Sequence, residues 1–282
     1  MLSAPPSETN SALAEQLPAE PSDVRVAWAD LIEGLNRNWM WSALAMQDIR
    51  LRYRGSILGP FWLTISTVVM VVAMGVIFSR IFDQDARTYM PYLMTGLVIW
   101  QFVQNSITEG CNTFLSVASV LQQVPMPFSV HAYRTVYRNL LVLGHNSVII
   151  PIGIMIFGVP IDWHIILVVP AVLLLAINGV WAGLLLGAVS ARFRDIPPII
   201  SNFLQVVFFV TPIFWPANRL GRWETLAELN PIFAAIDIVR APLLGLSPAP
   251  FSWIVVAVFT ALGSTISFLF FARFRCRIAY WI

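Results

Sequence analysis

Any cationic chemistry in this chain falls to arginine. All 17 basic residues are arginine, and lysine does not occur among the 282 positions. A P-loop nucleotide site sets a lysine ammonium against the β- and γ-phosphates, so no Walker-type ATPase is expected on this chain. Lysine Schiff-base chemistry is excluded with it. Cys111, Cys276, His131, His145 and His164 are scattered without ligand spacing, which argues against a metal site or a disulfide framework. Arg50, Arg52 and Arg54, by contrast, fall at alternate positions just before an apolar run. A guanidinium is a planar fork of donors that grips phosphate or carboxylate oxygens in pairs. The same cations would equally anchor the chain on anionic lipid, at about 1 kcal/mol each, and anchoring is the simpler reading. Glu109 is the one acid well inside an apolar run. Acids so placed face protein or water, and Arg138 is a candidate to cap it. Asp195 beside Arg192 and Arg194 reads as a loop ion pair, and His145 and Asn146 as hydrogen-bonding groups between helices.

The elements that must carry these residues follow from composition. The chain is 58% hydrophobic and 11% charged, with a mean hydropathy of +0.75, whereas soluble domains carry about 25% charged residues. That composition predicts an all-α integral membrane protein. A net charge of +2 without a basic stripe argues against a nucleic-acid partner. Residues 1–22, rich in Ser, Pro, Ala and Glu, read as a disordered tail; they lack the basic start and apolar run of a secretory leader. Residues 23–59 read as a cytoplasmic amphipathic helical region. There Trp28, Leu31, Ile32, Leu35 and Trp39 share one helical face and Asp30, Glu33 and Arg37 the other. Such a helix suits a membrane surface or the flank of another protein.

Six apolar runs follow, at about 60–80, 92–117, 137–158, 165–191, 197–215 and 251–272, with Pro151 and Pro170 inside the third and fourth. With the N-terminus in the cytoplasm, twelve arginines lie inside: 25, 37, 50, 52, 54, 134, 138, 192, 194, 273, 275 and 277. Five, at 80, 87, 219, 222 and 240, then lie outside. The positive-inside rule therefore predicts six spans with both termini cytoplasmic and a cytoplasmic tail at 273–282. The outer loop 216–250 is half apolar and broken by Pro216, Pro231 and Pro242, which predicts two short helices serving as an outer gate or a passive lid. On the inner side a short helix around Ser119–Gln123, stopped by Pro125 and Pro127, is either a docking element or an ordinary turn.

Several words in the sequence resemble those of the polysaccharide-export permeases, the type-2 ABC membrane subunits that export O-antigen, capsule and teichoic acid chains. The run Asp48-Ile49-Arg50-Leu51-Arg52-Tyr53-Arg54-Gly55-Ser56-Ile57-Leu58-Gly59-Pro60-Phe61-Trp62 is similar to their approach to the first span. Gln123-Val124-Pro125-Met126-Pro127, Arg194-Asp195-Ile196, Thr211-Pro212-Ile213 and Leu229-Asn230-Pro231 follow in family order. The resemblance implies a half-transporter. Two copies would pair around a central path and dock two copies of a separate cytoplasmic ATPase, which would hold the ATP and magnesium. It implies ATPase coupling through Gln122, Gln123, Val124, Pro125 and Met126, within a coupling helix at about 117–126. It also implies a lipid-pyrophosphate-linked glycan moved from the cytoplasmic to the outer face of a bacterial inner membrane.

On that resemblance Arg50, Arg52 and Arg54 become candidates for substrate admission and gating, and Asn230, Pro231 and Arg240 for an outer gate. Trp62, Trp100, Phe102, Phe208 and Phe214 offer ring faces for sugars along a translocation path, though interfacial belts and core filling use the same residues. An ion-coupled carrier or flippase would want several intramembrane acids or a helix pair broken at the midplane. A lipid-glycan enzyme would want paired carboxylates or a nucleophile with its base. The outer acids Asp83, Asp85, Asp162, Glu224, Glu228 and Asp237 have neither spacing.

Overall fold

The computed structural model describes residues 23–59, 61–217, 221 and 227–282. The segment 1–22 expected to be disordered, and Pro60, Arg219, Arg222, Trp223, Glu224 and Leu226, lie outside the described residues. Among the described residues the regular structure is helical throughout. α1 (Asp23–Asn36) and α2 (Asn38–Arg52) precede α3 (Phe61–Ile81) and α4 (Ala86–Cys111). A 3₁₀ turn and the short α5 (Ala118–Gln123) lead to α6 (Ser129–Asn146) and α7 (Ile149–Phe157). A second 3₁₀ turn (Trp163–Leu167) opens into α8 (Val168–Arg192), followed by α9 (Ile196–Val210), α10 (Pro231–Leu243) and α11 (Pro250–Trp281).

Among the described residues four stretches are long and apolar enough to cross a bilayer: Phe61–Ile81, Ser129–Phe157, Trp163–Arg192 and Pro250–Trp281. α4 falls outside that set because Gln101, Gln104, Asn105 and Glu109 dilute its apolar run, and it packs against α3, α6, α7, α8, α9 and α10 as the central helix. The fifth run is shorter than 197–215. α9 has 15 residues, or about 22 Å of helix. It stops because Thr211 precedes Pro212 and is pushed to extended backbone, φ −84° and ψ 137°. The third run starts earlier than expected, at Ser129, and is interrupted at 147–148. Pro151 causes the interruption, since it has no N–H for the carbonyl of residue 147 and its ring crowds it. Pro170, expected inside a span, lies in the first turn of α8, where backbone N–H groups have no helical partner to lose.

The packing is that of a protein whose solvent is lipid. α3 buries Thr64, Thr67, Val71, Gly75 and Ser79 and turns Val68, Val69, Val72, Val76 and Ile77 outward. Polar groups that hydrocarbon cannot satisfy face other helices instead. α8 approaches α4 and α6 through Gly179, Gly183 and Gly187, one helical turn apart. A Cβ added at Gly110 of α4 would lie 3.3 Å from the Gly183 Cα. Side chains there would separate the two helices.

α11 does not end in a tail. It is 32 residues long and runs on through 273–281, where Ile278 packs with Ala27 of α1, Ala132 of α6 and Leu184 of α8 in a second small core. α1 is helical as expected, but its inward face is different. Ala27 and Asp30 are buried, while Val24, Trp28, Ile32 and Leu35 are exposed. Asp30, placed above on the polar outer face, is 2% exposed. Of the two short helices expected in 216–250, α10 is present and the other falls largely on residues outside the described set.

Candidate functional site

Where the C-terminal ends of α2 and α4 meet the N-terminal half of α6, five charged side chains alternate in sign. α2 supplies Asp48 and Arg52, α4 supplies Glu109, and α6 supplies Arg134 and Arg138, each same-helix pair one turn apart. Arg134 grips both oxygens of Asp48, its Nε donating to Oδ2 at 2.8 Å. Arg138 bridges the two acids through Nη1 to Asp48 and through Nη2 to Glu109 Oε2 at 2.8 Å. Arg52 Nη2 closes the chain on Glu109 Oε1 at 2.8 Å. Burial by itself would raise the Asp48 carboxyl, but the two guanidiniums outweigh it and hold the group below its ordinary 3.8. Burial likewise disfavours the Arg52 cation, and the Glu109 carboxylate more than restores it. Arg50 and Arg54 remain exposed and form no ion pair among the described residues. Asp195 forms none either; Arg194 donates to the Trp281 carbonyl, and Arg192 lies 5.9 Å from the Trp281 ring. The loop ion pair expected there is absent among the described residues, because α11 runs far enough to occupy both arginines.

The segment between α4 and α6 is anchored from α1. α5 ends where Val124 becomes extended ahead of Pro125. Gln123, Val124 and Pro125 are exposed and Met126 half-buried, while the Gln122 side chain lies outside the described set. α6 begins at Ser129 with no side-chain cap of its own. Asp30 supplies one across 98 residues, accepting from Phe128 N at 3.1 Å and Ser129 N at 3.0 Å. The same carboxylate pairs with Arg275 Nε of α11 at 2.7 Å. A negative charge against the first turn of α6 satisfies orphan donors and opposes the positive end of the helix dipole. Gly34 allows the close approach, since a Cβ there would fall 2.1 Å from Ser129 Oγ. Asp30→Ala strips three donors, one buried and two part-buried, of a charged acceptor, each such bond contributing about 1.5–3 kcal/mol. It is expected to lower the detergent-solubilised Tm by several degrees, with Asp30→Asn intermediate.

A second cluster is built around carbonyls of the irregular segment that follows α9. Arg240 of α10 is 3% exposed and donates to the Pro212 and Ile213 carbonyls, both at 3.2 Å. Its guanidinium lies 4.0 Å from the Tyr92 ring centroid. Tyr92 donates to Pro212 O at 3.1 Å and Trp215 O at 3.2 Å, and Tyr89 donates to Phe214 O. Asn230 caps α10 by accepting from Ile232 N at 2.9 Å, and its amide donates to Thr211 Oγ1 at 3.0 Å. Pro231 opens the helix where its missing N–H matters least. Both ends of α10 therefore hold the segment 211–215.

Asn146 links α6 to α3 and α4. It accepts from Thr64 Oγ1 at 3.1 Å and donates to Gln101 Oε1 at 2.9 Å, while Gln101 donates to Thr67 Oγ1 at 3.0 Å. His145, expected to do the same, points its Nδ1 at its own helix, 2.7 Å from Leu141 O. Beside this ladder a groove of about 370 Å³ opens between α3, α4 and α9, lined by Thr67, Gln101, Gln104, Gln205, Trp100 and Phe208 among others. The structure brings Trp100, Phe208 and Phe214 together, with ring centroids 5.6 Å and 5.4 Å apart along that series. Trp62 lies apart on the outward face of α3, 59% exposed, and Phe102 is buried on another side of α4. The sequence assigns no site role to Asp48, Arg134, Asp30, Tyr89 or Tyr92. The one-turn spacing of Arg134 and Arg138, in a helix that cannot present charge to lipid, was the available signal.

Comparison with known proteins gives one consistent answer. The family model described as ABC-2 type transporter matches residues 40–244. The O-antigen export system permease protein RfbA of Myxococcus xanthus is 26% identical over 203 residues, covering 71% of this chain and 78% of its own. A protein of the same name from Klebsiella pneumoniae is 22% identical over 195 residues, covering 67% and 74%. The inner membrane transport permease YadH of Escherichia coli K12 is 25% identical over 190 residues, covering 65% and 74%.

Proposed function

Because the chain belongs to the ABC-2 type transporter family, we propose that it is the membrane half of an ATP-driven exporter for a lipid-linked, O-antigen-like polysaccharide. In this reading α4 and α9 join the four apolar stretches to make six spans, both termini are cytoplasmic, and two copies pair in a bacterial inner membrane. Two soluble ATPase subunits dock on the segment 118–126, whose exposed Gln123, Val124 and Pro125 are backed by the Asp30 anchor. ATP and magnesium belong to those subunits. Arg50, Arg52 and Arg54 admit the anionic headgroup, and α10 with Asn230, Pro231 and Arg240 closes the outer end.

The observation that carries the reading is the groove between α3, α4 and α9. Elsewhere the flanks of these helices present hydrocarbon to hydrocarbon, with Val69, Val76, Phe203 and Val210 exposed. Gln101, Gln104 and Gln205 supply amide donors and acceptors for hydroxyls, and Trp100 and Phe208 supply flat faces for sugar rings. A groove open along one side becomes a path when a second copy closes it. The carrier alternative loses its coupling acid, because Glu109 is held by two arginines.

The test is delivery of a lipid-linked glycan to the outer surface of proteoliposomes. Delivery is expected to require this chain, a separate ABC ATPase subunit and ATP together. Uphill delivery by this chain alone would overturn the proposal.

A further inference from the structure

The alternating chain of charges is incomplete at one end. Its order is Arg134, Asp48, Arg138, Glu109, Arg52, three cations against two anions. Arg134 and Arg138 are 20% and 15% exposed, whereas the terminal Arg52 is 44% exposed. The grips are unequal as well. Arg138 holds Glu109 Oε2 with both Nε and Nη2, at 3.2 Å and 2.8 Å, while Arg52 reaches Oε1 with one nitrogen. Glu109 can therefore leave Arg52 and stay paired. A phosphate presents several oxygens to the guanidinium fork, so it fits Arg52 bidentately where Glu109 does not. Arg50 and Arg54 on the same stretch add positive potential without competing acids of their own. The apolar surroundings indicate how the anion arrives. Leu51, Ile57 and Leu58, on the same stretch of chain as Arg52, are exposed, which suits a phosphate carried on a hydrocarbon chain better than one free in water.

We propose that a lipid-borne phosphate headgroup displaces Glu109 from Arg52, so that the Arg52–Glu109 link reports whether the cytoplasmic admission site is occupied. The proposal rests on the export reading above and adds a residue and a signal to it. A displaced Glu109 turns wholly to Arg138, and Arg138 belongs to α6, the helix that follows directly on the segment 118–128, where Gln123, Val124 and Pro125 are exposed. Occupancy is thereby passed by charge pairing from α2 through α4 to the element proposed to meet the ATPase. Glu109 acts here as a positioning residue and as the competitor anion of the empty state.

The experiment uses the full chain in nanodiscs of neutral phosphatidylcholine. Polyprenyl pyrophosphate is titrated in, with unphosphorylated polyprenol and inorganic pyrophosphate as separate arms. Removing the competitor charge in Glu109→Gln is expected to tighten polyprenyl pyrophosphate binding about fivefold, and Arg52→Gln to weaken it about tenfold. In the double variant the Glu109→Gln gain should vanish, because its only route is through Arg52. Glu109→Asp keeps the charge but retracts it by one methylene, and a smaller gain of about twofold is expected; this variant serves if the glutamine form fails to fold. Unchanged affinity in both Glu109 variants, with wild-type binding intact, overturns the sensor and leaves export standing. Equal binding of inorganic pyrophosphate, or of polyprenol, overturns the lipid-borne or the phosphate part respectively. No binding of polyprenyl pyrophosphate by the wild-type chain overturns the sensor and the headgroup role of the arginines together.

Discussion

Arg240→Met should yield a chain that inserts but is markedly less stable than wild type, by about 2–4 kcal/mol in the detergent-solubilised protein. Two effects oppose each other. Removing a buried guanidinium relieves its own desolvation, which favours the variant. Against this, the Ile213 carbonyl loses the donor that meets it at 3.2 Å, and the Pro212 carbonyl keeps only the Tyr92 hydroxyl. Each buried carbonyl left without a partner costs about 1–3 kcal/mol. The ring of Tyr92, 4.0 Å from the guanidinium, loses a cation contact of about 1–2 kcal/mol as well. The losses exceed the relief. Arg240→Lys keeps the charge but not the fork, so it should fall between the two. Gly96→Ala approaches the same seat from α4, since its Cβ would fall 2.4 Å from Arg240 Nη2 and 2.9 Å from Ile213 O. It should reproduce much of the loss while leaving the arginine in place. Fluorescence-detected unfolding of the three variants checks this order, and a wild-type Tm for Arg240→Met would refute it.

How far such a seat can be read from sequence depends on what hydropathy measures. Apolar runs report contact with lipid, so the outward-facing valines and isoleucines of α3 are legible, and the helical, membrane-spanning character with them. The end of α9 was legible too, in the pair Thr211-Pro212, but Ile213, Phe214 and Trp215 continue the apolar run and hide the stop. Hydropathy cannot show that these three residues lie in irregular backbone whose carbonyls need Arg240, Tyr89 and Tyr92. The Asn230-Pro231 pair carries its own meaning as a cap followed by a first-turn proline. Asp30 shows the opposite failure. On a helical wheel it belongs with Glu33 and Arg37, yet it is buried because its partners are two backbone N–H groups and an arginine 245 residues away. A periodicity argument assumes that charge seeks water. Here it seeks an uncapped helix, and no local pattern in α1 encodes that.

The same reasoning gives the second large effect, at Arg138. It is the only member of the alternating chain bonded to both acids, and it is 15% exposed. Arg138→Leu leaves Asp48 with Arg134 but Glu109 with Arg52 alone, the most exposed cation of the set. Breaking a largely buried pair by removing one partner costs about 3–5 kcal/mol, chiefly for the charge left behind; with water reaching Arg52, about 3 kcal/mol is the expectation here. If the orphaned carboxylate is the main penalty, then removing it as well should restore stability. Arg138→Leu combined with Glu109→Leu is accordingly expected to recover more than half of the loss, although it deletes a further set of hydrogen bonds. Arg134→Gln should cost less than Arg138→Leu, because Arg138 remains to hold Asp48 and a glutamine amide still reaches one oxygen. Thermal unfolding of wild type, Arg138→Leu, Glu109→Leu and the double variant closes a double-mutant cycle on the pair, with Arg134→Gln measured beside it. Recovery in the double variant would show that α2, α4 and α6 are held in register by charge balance across the set. A double variant no better than Arg138→Leu would assign the stability to individual hydrogen bonds instead, and would remove the physical basis for passing a signal along the chain of charges.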